Sequence, residues 1–122
     1  MYEIAVQDEF CAAHAIRIRG EVEPVHGHNW KVTVRVRGEA LDEDGLLCDF
    51  HEVERVLHHL VDPWRNADLN RSIENPTAEH VARHLGTAIA SSLTLPAGAR
   101  LHSVSVTEAP GCATTWFAPD DG

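Results

Sequence analysis

The chain has 122 residues, with 10 Lys and Arg against 19 Asp and Glu, so its formal net charge is −9. This length predicts a single domain over residues 1–122, and the acidic balance disfavours general binding of nucleic acid. The sequence has no apolar run near the roughly 20 residues that span a membrane, no signal-like start and only three Cys, which indicates a cytoplasmic protein with reduced thiols.

Alternating apolar and polar residues predict two strands in the first part of the chain. Residues 2–14 carry apolar side chains mainly at even positions, and residues 28–38 alternate more regularly. In the second strand, the even-numbered residues form a buried face, and the odd-numbered residues, beginning with Lys31, face water. A polar loop that ends at Pro24 joins the two strands.

Two helices are predicted in the middle of the chain by their end signals. Asp49 is a good N-cap for the first helix, which ends by residues 62–63 because a proline disfavours helix at the residue before it. Asn75 followed by Pro76 predicts the N-cap and first turn of a second helix. This second helix ends before residues 96–98, which read Pro-Ala-Gly.

Residues 100–108 and 112–118 return to a strand-like pattern, and they complete the order β-β-α-α-β-β. Strands and helices are segregated, so the sequence predicts an α+β fold with a four-stranded, mainly antiparallel sheet and two helices on one face. The other face and both edges of this sheet are uncovered. Because long strand edges pair readily with another copy, we expect a homo-oligomer in which sheets join.

Histidine is the residue type that stands out, with nine in this short chain. His26 and His28 lie two residues apart at the entry to the second strand, so their side chains point to the same face. An HxH pair alone is weak evidence for a metal site. His14, however, ends the first strand with inward parity, beside the start of the second. The three imidazoles can then converge on one ion with an open fourth position, as in catalytic zinc sites.

Several segments, in order along the chain, carry a family resemblance. They read FCAAH (10–14), HGHNW (26–30), GLLCDF (45–50), LN (69–70) with ENPTAE (74–79), and VTE (106–108). Together they resemble the zinc motifs, the two helix entries and the C-terminal region of the 6-pyruvoyl-tetrahydropterin synthase / 6-carboxytetrahydropterin synthase family. The resemblance covers residues 2–116.

The resemblance implies the T-fold and a homohexamer, a dimer of trimers whose sheets join into a barrel with active sites between subunits. It implies that His14, His26 and His28 bind Zn²⁺ and that the substrate is 7,8-dihydroneopterin triphosphate. In this family, protons move between side chain and ring while triphosphate is eliminated, a carbon–oxygen lyase reaction of pterin or queuosine-type synthesis. Glu108 would anchor the pterin through its two carboxylate oxygens, and Thr77 would assist at the pocket rim.

The sequence departs from the family at the catalytic Cys, four residues before the HGH pair, where Val22 stands. Some family members use a Glu near this loop and cleave the pterin side chain to a 6-hydroxymethyl product. Glu23 is therefore a candidate base. The alternative is that Glu21 and Glu23 are solvated loop charges.

A second departure concerns the family's Asp-His pair, which follows the first helix. An ungapped alignment to residues 69–70 places Arg65 and Asn66 there, whereas a shifted alignment keeps Asp62 and replaces the His with Pro63. Asp62 remains a catalytic candidate on this basis. Arg65 inverts the local charge and is a candidate for binding an anionic ligand.

Three functions remain open from the sequence. The first is a zinc-dependent lyase or aldolase-like enzyme acting on dihydroneopterin triphosphate. The second is a diverged T-fold protein that binds a pterin- or purine-like ring without the parental activity. The two departures favour this second function, whereas the retained metal and anchor residues favour a working pocket. The third is a structural metal site, which would need a fourth protein ligand, and the sequence alone offers no candidate for it.

Overall fold

The computed structural model describes residues 1–120. Its strands and helices are, in chain order, β1 (Tyr2–His14), β2 (Arg17–Ile18), β3 (Glu21–Val22), β4 (His26–Gly38), α1 (Phe50–Val61), β5 (Ala67–Asp68), α2 (Ala78–Ser92), β6 (Ala99–Ala109) and β7 (Cys112–Phe117). Short 3₁₀ turns cover Asp62–Trp64 and Leu69–Arg71. The order of the long elements, β-β-α-α-β-β, confirms the predicted α+β class.

The main sheet has the strand order β5-β1-β4-β6-β7, and its four long strands are antiparallel to their neighbours. The pairing of β1 with β4 is continuous from Tyr2 opposite Gly38 to His14 opposite His26. The short β5 runs parallel to the end of β1 as a fifth strand, which the prediction of four strands missed because two residues show no periodicity. The remaining two strands, β2 and β3, form a separate hairpin.

One face of the sheet is covered by both helices, as predicted. Helix α1 packs over β1, α2 packs over β6 and β7, and the two helices contact each other. The buried apolar residues of the sheet are Val6, Phe10, Ala12, Trp30, Val32, Val34, Val36, Val104 and Val106. The two helices contribute Val53, Val56, Leu57, Val61, Ala78, Val81, Ala82, Leu85 and Ile89 to the same core. Because the apolar residues of each strand point into this core, the residues that alternate with them make the opposite face of the sheet polar.

Two predicted element boundaries are wrong. The N-cap of α2 is Thr77, whose hydroxyl accepts a hydrogen bond from the backbone N–H of His80. Asn75, the predicted cap, has a φ of 46° and uses its side chain elsewhere. Strand β4 begins at His26, two residues before the predicted start at residue 28, because its pairing with β1 extends to His14. The predicted N-cap of α1, Asp49, is confirmed.

Within residues 1–120, the helices fall short of the length and hydropathy needed to cross a bilayer.

Gly86 provides a test of how α2 packs on the sheet. A Cβ atom at this position would lie 2.2 Å from Cε3 of Trp116 on β7. A Gly86→Ala substitution gains about 1 kcal/mol of helix propensity, but the overlap with the indole should outweigh this gain. We expect the free energy of unfolding in urea to fall by about 1–3 kcal/mol.

Ala90→Gly, at an exposed position of the same helix, is the matched control. It should lose about 1 kcal/mol through helix propensity alone. A Gly86→Ala protein as stable as the unsubstituted chain, or more stable, would contradict the close packing of α2 on Trp116.

Candidate metal centre

The register of β1 with β4 brings three histidines together at one end of the sheet. His14 ends β1 opposite His26, and His28 lies two residues further along β4 on the same face. The Nε2 atoms of His14 and His26 are 3.1 Å apart. His14 is fully buried, and its ring packs edge-on against the rings of His28 and Trp30. The structure therefore assembles the three imidazoles that the sequence pattern singled out.

Glu108 adds a carboxylate to this cluster. Its Oε1 atom lies 3.1 Å from Nε2 of His14 and 3.1 Å from Nε2 of His28. One ligand atom from each of the four residues falls within 4.8 Å of the others. Glu108 comes one residue after Thr107, which pairs with Lys31 of β4, and this register places it beside the histidines. It is the fourth potential protein ligand that the sequence analysis did not find.

Two backbone carbonyls set the tautomers of His14 and His26. Nδ1 of His14 lies 2.8 Å from the carbonyl oxygen of Pro76, and Nδ1 of His26 lies 2.8 Å from that of Pro24. A carbonyl only accepts, so each Nδ1 donates, and in the neutral rings each Nε2 carries a lone pair. Nε2 of His28 is buried, and no hydrogen bond with good geometry satisfies it.

This arrangement fits a divalent cation. Lone pairs of His14 and His26 face each other at 3.1 Å, and a carboxylate oxygen lies at the same distance from two of the rings. Such acceptor–acceptor contacts repel unless a positive charge lies between them. Burial has the largest influence on the pKa of His28 and lowers it. The Glu108 carboxylate raises this pKa, and the neighbouring imidazoles of His14 and His26 lower it further, so the net shift is downward. The neutral imidazole that results is the form that binds a metal.

Two asparagine side chains fix the segment that follows His14. Asn70 receives a hydrogen bond from the N–H of Ala15 and donates one to its carbonyl, both at 2.8 Å. Asn75 accepts from the N–H of Arg17 at 2.6 Å and donates to the Arg17 carbonyl at 3.3 Å. Their carboxamides thus pair with the backbone as a neighbouring strand would. The helix start predicted at Asn75 is therefore wrong, and this bridging role of Asn75 was not predicted.

Glu23, the candidate base, lies in the connection between the first and second predicted strands. Its N–H donates to the carbonyl of Ile16 at 2.9 Å, and the next residue, Pro24, provides the carbonyl that orients His26. One carboxylate oxygen of Glu23 is buried and has no hydrogen-bond partner in the described part of the chain. Glu23 is not one of the four clustered ligand residues.

The structure gives Thr77 a defined local role. Its hydroxyl caps α2, directly after Pro76, whose carbonyl orients His14. Thr77 is therefore close in sequence to the cluster, while its side chain is engaged by the helix.

Asp62 and Arg65 lie elsewhere within one subunit. Arg65 donates to Asp62 at 2.9 Å, to Asp8 at 2.5 Å and to the carbonyl of Glu9 at 3.0 Å. The hydrogen bonds with the two carboxylates raise the pKa of Arg65. Asp8 precedes His14 by six residues on β1, about 20 Å at roughly 3.3 Å per residue. One subunit alone therefore does not bring Asp62 or Arg65 to the histidines.

A cavity of about 540 Å³ opens beside the cluster. Its lining includes His28, Glu108, Gly27, Asn29, Lys31 and Thr107. It combines two members of the cluster with polar side chains from β4 and β6, and it is large enough for a small-molecule ligand.

A sheet with two helices on one face and a His-rich cluster at its strand ends defines an α+β domain of the T-fold type with a candidate metal centre. The chain belongs to the 6-pyruvoyl tetrahydropterin synthase family, whose model matches residues 3–118.

Two relatives are similar in sequence to this chain. A protein of Archaeoglobus fulgidus, provisionally named 6-carboxy-5,6,7,8-tetrahydropterin synthase, is 33% identical over 87 residues, covering 71% of this chain and 75% of the relative. The dihydroneopterin monophosphate aldolase of Pyrococcus furiosus is 32% identical over 105 residues, covering 86% of this chain and 88% of the relative. Both names belong to pterin metabolism.

Solved structures confirm the predicted fold. The 6-pyruvoyl tetrahydropterin synthase of Caenorhabditis elegans superposes with a TM-score of 0.83 at 21% identity, covering 97% of this chain and 96% of that one. A Plasmodium vivax 6-pyruvoyltetrahydropterin synthase whose catalytic glutamate is replaced by alanine superposes with a TM-score of 0.82 at 18% identity, covering 96% of this chain and 97% of that one.

Metal content tests the cluster directly. We expect His26→Ala to weaken metal binding by about 100-fold or more, since removing a ligand should exceed the 10–100-fold effect of losing its outer hydrogen-bond partner. The measurement is metal per chain by inductively coupled plasma mass spectrometry after dialysis. His51→Ala, an exposed histidine on α1, is the control and should retain the metal. Equal metal content in both variants would contradict the assignment.

Proposed function

We propose that this protein is a metal-dependent lyase that acts on the side chain of a phosphorylated 7,8-dihydroneopterin. The observation that carries the proposal is the convergence of His14, His26 and His28, with two Nδ1 protons held by backbone carbonyls, next to a cavity that contains Glu108. The relatives of the chain, which are named for pterin enzymes, support the substrate class.

The three histidines would hold the metal, and Zn²⁺ suits an all-imidazole set with one open position. When bound, such an ion polarises a hydroxyl oxygen and lowers its pKa. The protein's own part is to keep Nε2 of His14 and His26 free of a proton, which the carbonyls of Pro76 and Pro24 do by accepting from Nδ1.

Glu108 is the proposed anchor for the pterin ring. A carboxylate has two oxygens that match the adjacent amino and ring N–H donors of a pterin. The Glu108 side chain is 25% exposed and lines the cavity, so it is accessible to a ligand. Thr77, beside the Pro76 carbonyl, is proposed as a rim residue.

Glu23 is the proposed base, and its presence beside Val22 favours carbon–carbon cleavage over triphosphate elimination. Without the Cys, the elimination lacks its usual base for a side-chain carbon. A retro-aldol cleavage needs a base only for the 2′-hydroxyl: that proton leaves, the C1′–C2′ bond breaks, and its electron pair passes into the pterin ring. An aldehyde departs, and protonation of C1′ leaves a 6-hydroxymethyl product.

Two observations support this choice. The Glu23 carboxylate has a buried oxygen without a partner in the described residues. A relative that covers 86% of this chain is named an aldolase for dihydroneopterin monophosphate. Elimination of triphosphate from 7,8-dihydroneopterin triphosphate remains the competing reaction of the same site.

Asp62 and Arg65 take part only if a neighbouring subunit places them at the cluster. We propose that the protein assembles as a homohexamer with active sites between subunits. Its proposed location is the cytoplasm. In such an assembly Asp62 would exchange a proton with the substrate and Arg65 would face its phosphate.

The position of Glu108 favours a second candidate function. Its Oε1 is 3.1 Å from two imidazole nitrogens, so the carboxylate can complete a four-ligand site. A metal held by four protein ligands has no position for substrate. The protein would then bind a pterin- or purine-like ring without turnover, or use the metal only for stability.

Product analysis tests the proposed reaction. The zinc-loaded protein is incubated with 7,8-dihydroneopterin monophosphate and, separately, the triphosphate, and pterin products are separated by chromatography. We expect a 6-hydroxymethyl pterin. Glu23→Gln should lower kcat by about 10²–10⁴-fold, the usual contribution of a general base, whereas Glu21→Gln, an exposed neighbour, should leave it within about twofold.

Other outcomes have distinct meanings. Release of triphosphate with the three-carbon side chain retained would replace carbon–carbon cleavage by the elimination. Measurable pterin binding with no product from either substrate would establish the second candidate. Full activity of Glu23→Gln would remove Glu23 from the mechanism.

A further inference from the structure

The face of the sheet that the helices leave uncovered carries a concentration of positive charge. A cavity of about 560 Å³ lies over this face, and its charged lining consists of Lys31, Arg35 and Arg37 with the single carboxylate of Glu3. These groups sum to a formal charge of +2, in a chain whose total is −9. We call this cavity the open-face cavity.

The cations follow one strand at regular positions. Lys31, Arg35 and Arg37 all occupy odd positions of β4, so they project to the same side. They span six residues, about 20 Å at roughly 3.3 Å per residue. This arrangement forms a row of donors rather than a single point of charge.

Local contacts hold the two arginines without neutralising the row. Glu3 lies 2.6 Å from Nε of Arg37 and 3.6 Å from Nε of Arg35, so one carboxylate serves two guanidinium groups. Nη1 of Arg35 donates to Ser105 at 2.9 Å, and the Ser105 hydroxyl contacts that of Thr115 at 2.8 Å. Lys31 makes no salt bridge with any residue in the described part of the chain.

The titration of His102, which also lines the cavity, agrees with a positive local potential. Burial lowers the pKa of His102 first, and Arg37, Arg100 and Arg35 lower it further, against the opposing charge of Glu3. The charged groups around His102 are thus predominantly cationic.

The open-face cavity adjoins the cavity beside the metal centre. Lys31 and Thr107 line both. We propose that the open-face cavity is a binding site for a polyphosphate chain, with Lys31, Arg35 and Arg37 as its cationic donors and the hydroxyls of Ser105 and Thr115 beside them. The chain comes either from a phosphorylated pterin or from free inorganic triphosphate, and the link to the pterin rests on the proposed function.

Binding of inorganic triphosphate, measured by isothermal titration calorimetry, tests the site without requiring turnover. We expect the unsubstituted protein to bind it and the Arg35→Gln/Arg37→Gln double variant to bind at least about tenfold more weakly, because two charged donors are lost. Lys31→Gln, which breaks no salt bridge, should weaken binding severalfold. Arg55→Gln, on the outer face of α1 and paired with Glu52, is the matched control and should leave the affinity unchanged.

A second arm separates the sources of the phosphate chain. If the double variant raises KM for dihydroneopterin triphosphate and not for the monophosphate, the site binds the substrate's chain. If only the affinity for inorganic triphosphate falls, it binds the free anion.

Two results would overturn the proposal. One is no triphosphate binding to the unsubstituted protein. The other is binding that is unaffected by the β4 substitutions and disappears when the metal is removed by chelation. Triphosphate binding needs neither pterin nor product, so the proposed reaction can fail while this site is confirmed. Conversely, if the double variant forms the pterin product with an unchanged KM for the triphosphate substrate, the reaction stands without a contribution from this site.

Discussion

The antiparallel register of β1 with β4 is the constraint on which the metal centre depends. It places His14 opposite His26, with His28 on the same face. The period of a strand is two residues, so a slip of one residue would turn all of β1's inward side chains to the other face of the sheet. The same slip would expose Val6 and Phe10, which are almost fully buried. The hydrophobic core therefore enforces the register that assembles the site.

The strand register does not by itself orient the imidazole rings, and contacts from the loops fix their orientation. Pro24 and Pro76 come from two different connections, yet each directs a carbonyl to an Nδ1 atom of the cluster. Asn70 and Asn75 hold the backbone after His14 through four hydrogen bonds. The contacts of Asn70, Asn75 and Pro76 join segments more than fifty residues apart. Folding of the helical half of the chain is therefore a condition for the geometry of the pair formed by β1 and β4.

Local patterns explain what the sequence could and could not reveal. Alternation predicted the four long strands and the inward parity of His14, because burial of one face imposes a period of two. The prediction of Asn75 as a helix cap was wrong because its side-chain amide hydrogen-bonds the distant backbone of Arg17. An asparagine is equally suited to capping a helix and to bonding a backbone segment, so the residue type does not distinguish the two. The proximity of Glu108 to the histidines depends on the register of β6 with β4, which requires knowing which strands are neighbours. The contact between the Pro24 carbonyl and His26 could not be predicted from the sequence, because every residue has a backbone carbonyl and the side chains do not show which one accepts the bond.

Net charge proves a poor guide to the local potential of this protein. Arg55 and Arg65 lie outside the open face, and each pairs with a nearby carboxylate. On the open face, by contrast, one carboxylate is shared by two arginines, and Lys31 lies opposite Glu9 in the register of β1 with β4 without forming a salt bridge in the described residues. Acidic groups beyond about 10 Å are largely screened at ordinary ionic strength. A phosphorylated ligand over β4 therefore meets a cationic surface, although the whole molecule is strongly acidic.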